Sequence, residues 1–233
     1  MNPLIAYYQS SIGKKTVVAV TGLLLIGFVI VHLLGNLTIF LGPAALNSYA
    51  DKLHSLGPVL WLFRIGLAAI FVSHIVATIQ LARENRAART PRYEHEKTVQ
   101  AGRASRTMVV SGLILLSFLI FHILHFTVKV TNPEIAQFRF DLDGKDVPDV
   151  FTMVVLGFQN VWVSGFYLLS MGLLCAHLSH GFSSVFQSLG VRNKTRWPLL
   201  AVAAHALGWT LFLGNAAIVS ACLFEWIEPL HTL

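Results

Sequence analysis

Residues 118–126 read FLIFHILHF, two imidazoles (His122 and His125) in a stretch that is otherwise hydrocarbon. The apolar run around them, roughly 107–130, is long enough to cross a bilayer as a helix, which takes about 20 residues. An ionisable ring at that depth is costly and calls for a partner. The pattern recurs along the chain. FVIVHLL carries His32, FVSHIVA carries His74, and CAHLSH carries His177 and His180.

Working outward, the chain holds five such runs, at roughly 16–41, 59–83, 107–130, 155–189 and 198–226. Of the 233 residues 55% are hydrophobic and 12% charged. A soluble domain carries about twice that charged fraction. The runs are continuous rather than alternating, which excludes a β-barrel. The expected fold is all-α: a polytopic membrane protein of five transmembrane helices, with residues 1–233 as a single domain. The fourth run is preceded by apolar residues from Val150 onward, so its first turns suit the interface. The N-terminus, MNPLIAYYQSSIGKK, shows no cleavage site and reads as retained, with the first span as a signal anchor.

Only two cysteines occur, Cys175 and Cys222, both in apolar runs. An iron–sulfur cluster needs about four thiolates, so this chain holds none. No GxGxxG, no Walker motif and no internal repeat of a transporter stands out. Charge is distributed by loop. Arg83, Arg86, Arg89, Arg92, Lys97, Arg103 and Arg106 cluster between the second and third runs, Arg192, Lys194 and Arg196 between the fourth and fifth, and Lys14 and Lys15 before the first. Glu134, Asp141, Asp143, Asp146 and Asp149 fall between the third and fourth, and Glu225 and Glu228 follow the fifth. The positive-inside rule then makes the N-terminus cytoplasmic and the C-terminus external. The net charge of +6 is mostly this topology signal, and nucleic-acid binding is disfavoured.

Depth sorts the histidines. At about 1.5 Å per residue, His32 and His122 lie roughly 25 Å and 24 Å from the cytoplasmic ends of their spans. His74 and His177 lie roughly 14 Å and 15–18 Å from theirs. Four spans thus supply two pairs of imidazoles at two levels, about 10 Å apart by this arithmetic. A lone histidine in a span serves most often as a helix–helix hydrogen-bonding residue. Four at two matched depths point instead to axial ligation of haem iron, with neutral imidazoles from facing helices. Gly22, Gly27, Gly35, Gly112, Gly165 and Gly172 would admit a flat macrocycle, and Phe28, Phe71, Phe118 and Phe121 would pack on it. His125 and His180 suit a hydrogen bond to a propionate or to a ligand's neighbour. His205 suits propionate contact or helix packing. His54, His95 and His231 read as solvated.

At this point the chain resembles the di-haem cytochrome b membrane anchor of succinate:menaquinone and quinol:fumarate oxidoreductases, the type with one five-helix anchor subunit. FVIVHLLGN, SHIVATIQLA, SGLILLSFLIFH and HLSHGFSSVFQSLG match in order, as does the loop ALNSYADKLHSLGP. The resemblance spans nearly the whole chain and singles out His122 over His125 and His177 over His180. It implies two haem b groups, His74 with His177 near the soluble subunits and His32 with His122 further out. It also implies a flavoprotein and an iron–sulfur subunit on the cytoplasmic side, and a quinone, menaquinone by analogy, as electron partner. The setting implied is the inner membrane of a prokaryote, with a dimer of the heterotrimer left open. Asp51, His54 and Glu225 are the candidate proton donors for a quinone at the outer surface. Some fumarate reductases of this type carry a membrane glutamate two residues before the fourth ligand. Cys175 stands there instead, which favours succinate oxidation. The alternative reading is a di-haem b subunit of a hydrogenase or formate dehydrogenase, in which the spans and ligand order differ.

Overall fold

The structure, a computed structural model, describes residues 2–88, 103–191 and 197–232. Arg89, Arg92, His95, Lys97, Arg192, Lys194 and Arg196, and the side chains of Arg103 and Arg106, lie outside the described part. The chain forms α1 (Pro3–Gln9), α2 (Ser11–Asn36), α3 (Pro43–His54), α4 (Pro58–Ala87), α5 (Arg103–His122), a hairpin β1 (Arg139–Leu142) and β2 (Lys145–Pro148), α6 (Val150–Gln159), α7 (Val161–Ser188) and α8 (Trp197–Leu223). Five stretches are long and apolar enough to cross a membrane: Ser11–Leu41, Pro58–Ala87, Met108–Thr127, Val161–Ser188 and Trp197–Leu223. The protein is an all-α polytopic membrane bundle.

Local chemistry explains the boundaries. Ser10 caps α2, its hydroxyl oxygen accepting from the Gly13 amide at 3.0 Å. Gly42 and Gly57 sit at φ of 98° and 51°, each directly before a proline that opens the next helix. Those two glycines turn the chain into and out of α3, a helix in a segment that reads from sequence as a loop. The fourth run is two helices rather than one. Asn160 adopts an extended ψ of 116°, and its Oδ1 accepts from the amides of Trp162 (3.0 Å) and Val163 (3.3 Å). The span therefore starts at Val161, and α6 is a separate helix before it. The acidic loop also holds a hairpin, with Arg139 opposite Pro148 and Leu142 opposite Lys145.

α7 is the hub. It packs on α2, α5 and α8, and α4 leans on α2. α4 scarcely meets α5, so α4, α2, α7 and α5 form an open ring with its gap between α4 and α5. Ala77 is the one buried residue of α4, while Trp61, Leu62, Phe63 and Ile65 are exposed. Close approach elsewhere depends on missing side chains. A Cβ on Gly208 of α8 would lie 2.8 Å from Ser179 Oγ and 2.9 Å from the Cys175 carbonyl oxygen of α7. A Cβ on Gly214 would lie 2.8 Å from Leu33 Cδ2 of α2.

The two ends differ. At the basic end, the half-hidden pair of Lys14 and Glu84 ties α2 to α4, and Tyr8 donates to Gln80 at 2.9 Å. At the acidic end, buried Asn47 of α3 donates to Asp149 at 3.0 Å and accepts from the Phe151 amide at 2.9 Å. Asp149 in turn caps α6 through the Thr152 amide at 3.0 Å. Buried amide and carboxylate groups must find partners, so this knot fixes α3 against α6.

Gly208→Ala should lower thermal stability in detergent by about 1–3 kcal/mol, the usual cost of overpacking, because a backbone carbonyl cannot step aside. Unchanged unfolding temperature would show the α7–α8 contact to be looser than this.

Candidate functional site

The four histidines singled out by depth all lie half-buried on the ring of α2, α4, α5 and α7. Each is held by a polar neighbour, and counting protons assigns its state. The Thr21 hydroxyl donates to the Val17 carbonyl at 2.6 Å, so toward His74 Nδ1, at 3.0 Å, it acts as acceptor. The Ser111 hydroxyl donates to the Met108 carbonyl at 3.1 Å, and likewise accepts from His177 Nδ1 at 3.3 Å. A neutral imidazole has one N–H and one bare nitrogen. With the proton on Nδ1, both His74 and His177 carry a bare Nε2. His32 Nε2 receives the Asn36 side-chain amide at 3.3 Å, so it too is bare. His122 Nδ1 meets the Tyr167 hydroxyl at 3.2 Å.

His32 and His122 face one another, ring centroids 5.8 Å apart and nearly perpendicular at 82°. Two metal–imidazole bonds of about 2 Å each, plus the ring radii, span a similar distance. Phe28 stacks on His32 at 5.4 Å and Phe118 on His122 at 5.9 Å, each one helical turn earlier. The glycines divide. Gly22 and Gly112 lie against the inner rings, a Cβ falling 3.4 Å from His74 Cε1 and 3.8 Å from His177 Cε1. Gly27 and Gly165 border open space. Gly35 is a correction, since a Cβ there would strike the Tyr49 ring, so it admits α3 rather than a macrocycle.

The helices also carry a repeat that the first reading passed over. VTGLLLIGFVIVH (20–32) aligns with VSGLILLSFLIFH (110–122), identical at Val20/Val110, Gly22/Gly112, Leu23/Leu113, Leu25/Leu115, Phe28/Phe118, Ile30/Ile120 and His32/His122. The structure gives both copies one job. The hydroxyl residue grips the inner imidazole of the next helix, and the terminal histidine supplies an outer ring. Eleven residues, about 16 Å of helix, separate those two functions, more than the depth arithmetic indicated.

Among the described residues, no three of His, Cys, Asp and Glu gather into a metal-binding group. The imidazoles come in twos, which fits a haem better than a bare ion. The porphyrin provides four in-plane nitrogens and asks the protein only for axial donors. A cavity of about 260 Å³ opens between α5 and α7 beside Ser111 and His177, lined also by Met108, Ile114, Leu173 and Ala176.

The other histidines scatter. His125 is 2% exposed and meets Tyr167 through Nδ1 at 3.1 Å, so it is packed in the protein core. His180 Nε2 contacts Ser184 Oγ at 3.2 Å, and exposed His205 donates to its own helix at Ala201 (2.7 Å). His231 is only half solvated, stacked on Phe138 with Nε2 3.9 Å from Asp149. Of the quinone-site candidates, Asp51 is ion-paired with Lys145 at 2.6 Å, His54 ends α3 exposed, and Glu225 follows α8 exposed at a φ of 57°. Thr21, Ser111, Asn36 and Tyr167 are the contributors the sequence reading missed. A hydroxyl residue before glycine in both copies of the repeat was the available signal.

The fold and these contacts define a multi-pass helical membrane protein with hydrogen-bonded histidines inside its bundle, two of them, His32 and His122, facing each other. Comparison with family models, curated proteins and solved structures found no match to the chain.

Thr21→Val should remove the hydroxyl that His74 Nδ1 meets at 3.0 Å and cost about 1 kcal/mol of stability. Thr21→Ser should recover most of it. Equal melting of the two variants would count against the hydrogen bond.

Proposed function

We propose that this chain is the membrane anchor and electron-transfer subunit of a succinate dehydrogenase or fumarate reductase, holding one haem b between His74 and His177 and another between His32 and His122. The observation that carries the reading is the proton order. With Thr21 and Ser111 accepting, His74 and His177 keep their hydrogens on Nδ1 and leave Nε2 for a ligand, while the lone pair of His32 Nε2 is held by the Asn36 amide until a ligand displaces it. That is the form a haem iron binds. Bound there, the two haems would pass single electrons along the membrane normal.

This chain's residues would do the rest. The hydroxyls orient the inner rings, and Phe28 and Phe118 hold the outer ones. At the basic end, Lys15, Arg83 and Arg86 suit the acidic surface of an iron–sulfur partner or anionic lipid. The flavin and dicarboxylate chemistry belongs to the partner subunits, for which this chain has no residues. At the other end, α3 and the hairpin form an acidic cap where a quinone headgroup would find protons. His54, Asp51 and Glu225 remain its candidate donors, with Asp51 delivered through its exchange with Lys145. Cys175 in place of a glutamate supports succinate oxidation as the working direction.

Pyridine haemochrome analysis of gently purified protein should give two haem b per chain. His74→Ala and His177→Ala should each lose the same haem, and His32→Ala and His122→Ala the other. A flavoprotein and an iron–sulfur protein should co-purify. One haem or none would overturn the reading, and hydrogenase or formate dehydrogenase subunits in the complex would redirect it.

Asp51→Asn and His54→Ala should slow quinone turnover at least tenfold while succinate oxidation with an artificial acceptor stays normal. An exposed ion pair is worth only about 0–1 kcal/mol, so folding should not confound the result. Full quinone activity in both variants would remove this end as the quinone site.

A further inference from the structure

One hydroxyl serves two histidines. Tyr167 of α7 is 4% exposed, and its oxygen lies 3.2 Å from His122 Nδ1 and 3.1 Å from His125 Nδ1. The rings are brought to the same oxygen by a π-helical turn, Ile123–Thr127, in which the Val128 amide reaches back to the Ile123 carbonyl at 2.8 Å. Such single-turn widenings collect at functional sites. The phenol has one hydrogen to give, and no other acceptor is recorded for it. If both Nδ1 atoms were bare, one would go unpaired. If both carried hydrogen, the phenol's own hydrogen would go unpaired. Both contacts are satisfied only when one ring donates to Tyr167 and the other accepts from it.

We infer that Tyr167 is a positioning residue that holds His122 and His125 in opposite tautomers, so that His122 alone presents a bare Nε2 to the bundle interior. The surroundings decide which ring takes which form. His125 Nε2 is buried without a partner, and a Cβ on Gly157 of α6 would fall 3.2 Å from it and 2.9 Å from the Phe126 ring. No flat group fits there. His122 instead faces His32 across the ring. With a ligand on the His122 side, His122 donates its Nδ1–H to Tyr167 and Tyr167 donates to His125 Nδ1, which leaves the His125 Nε2–H against α6 without a partner. The phenol makes the choice in FLIFHILHF that composition and spacing leave open. That the two tautomers are opposite stands without any cofactor; which ring takes which form, and the consequence for iron, rest on the haem reading.

The test uses the whole chain, labelled with ¹⁵N-histidine, purified and chemically reduced so that any haem iron is diamagnetic. Ring nitrogen resonances, assigned through His122→Gln and His125→Gln, should show Nδ1 of His122 protonated and Nδ1 of His125 bare. Tyr167→Phe should move both Nδ1 resonances and leave those of His74 and His177 in place. His125→Gln keeps an acceptor for the phenol and should leave the His122 signal near its wild-type position, whereas His125→Leu should shift it. The same tautomer in both rings, or signals indifferent to Tyr167→Phe, would overturn the inference. Redox titration adds an independent arm: in Tyr167→Phe one haem's midpoint potential should rise, because a ligand whose N–H loses its acceptor becomes less basic, and two unchanged potentials would count against it. Absence of haem in the wild type would defeat the proposed function while the nitrogen resonances still judge Tyr167.

Discussion

A neutral imidazole in hydrocarbon has one hydrogen to donate and one lone pair to use, and the membrane offers water for neither. Much of the bundle is arranged around that constraint. Thr21 and Ser111 spend their own hydrogens on their helix backbones, at Val17 and Met108, and so are left as acceptors. The common habit by which intramembrane Ser and Thr satisfy themselves thereby becomes a way to write a proton position onto a neighbouring helix. The inner rings are gripped across helix pairs, α2 to α4 and α5 to α7. A glycine beside each hydroxyl lies against the imidazole, where even a Cβ would make ordinary van der Waals contact.

The repeated thirteen residues put this device in place twice, and the copies diverge where they meet the outer rings. His122 leans on Tyr167, which stands ten residues before His177. Ten residues before His74 stands Arg64, exposed and over the Trp61 ring at 5.1 Å. His32 has Asn36 of its own helix instead. The two outer imidazoles are thus held by different chemistry, one by a buried phenol fixed in the core and one by an amide free to turn. A ligand entering between them would displace the Asn36 amide and leave Tyr167 where it is.

Much of this was legible in sequence. The five spans follow from apolar run length, since a bilayer sets that length. The meeting of His32 and His122 follows from the fixed rise of a helix, which puts them at one depth. What escaped were features set by single side chains or by contacts between distant segments. Asn160 cuts the fourth run because its side chain competes for two backbone amides, which an apolar count does not register. His125 reads as a neighbour of the ligand histidine, and the π turn brings it into the core onto Tyr167. Asp51 reads as a free carboxylate until the hairpin brings Lys145 to it, 94 residues along the chain. Gly35 reads like Gly22 until Tyr49 is seen to occupy its space.

The thin packing of α4 follows from the same logic. A helix with one buried residue gains little from its neighbours, yet α4 carries a histidine whose hydrogen bond orients it inward. In lipid no hydrophobic force drives helices together, so α4 is held to α2 chiefly by close contact, the His74–Thr21 bond and the Lys14–Glu84 pair at its end, and to α1 by Tyr8 donating to Gln80. Those polar ties lie along one side and leave the side toward α5 unpartnered. A bundle whose only purpose was to be compact would close that gap with side chains. Here the residues bordering it include Gly112, Ser111 and the half-buried imidazoles, small or polar groups that cannot fill it. Under the proposed function, a flat group ligated from two sides would complete the packing of α4 and use those nitrogens.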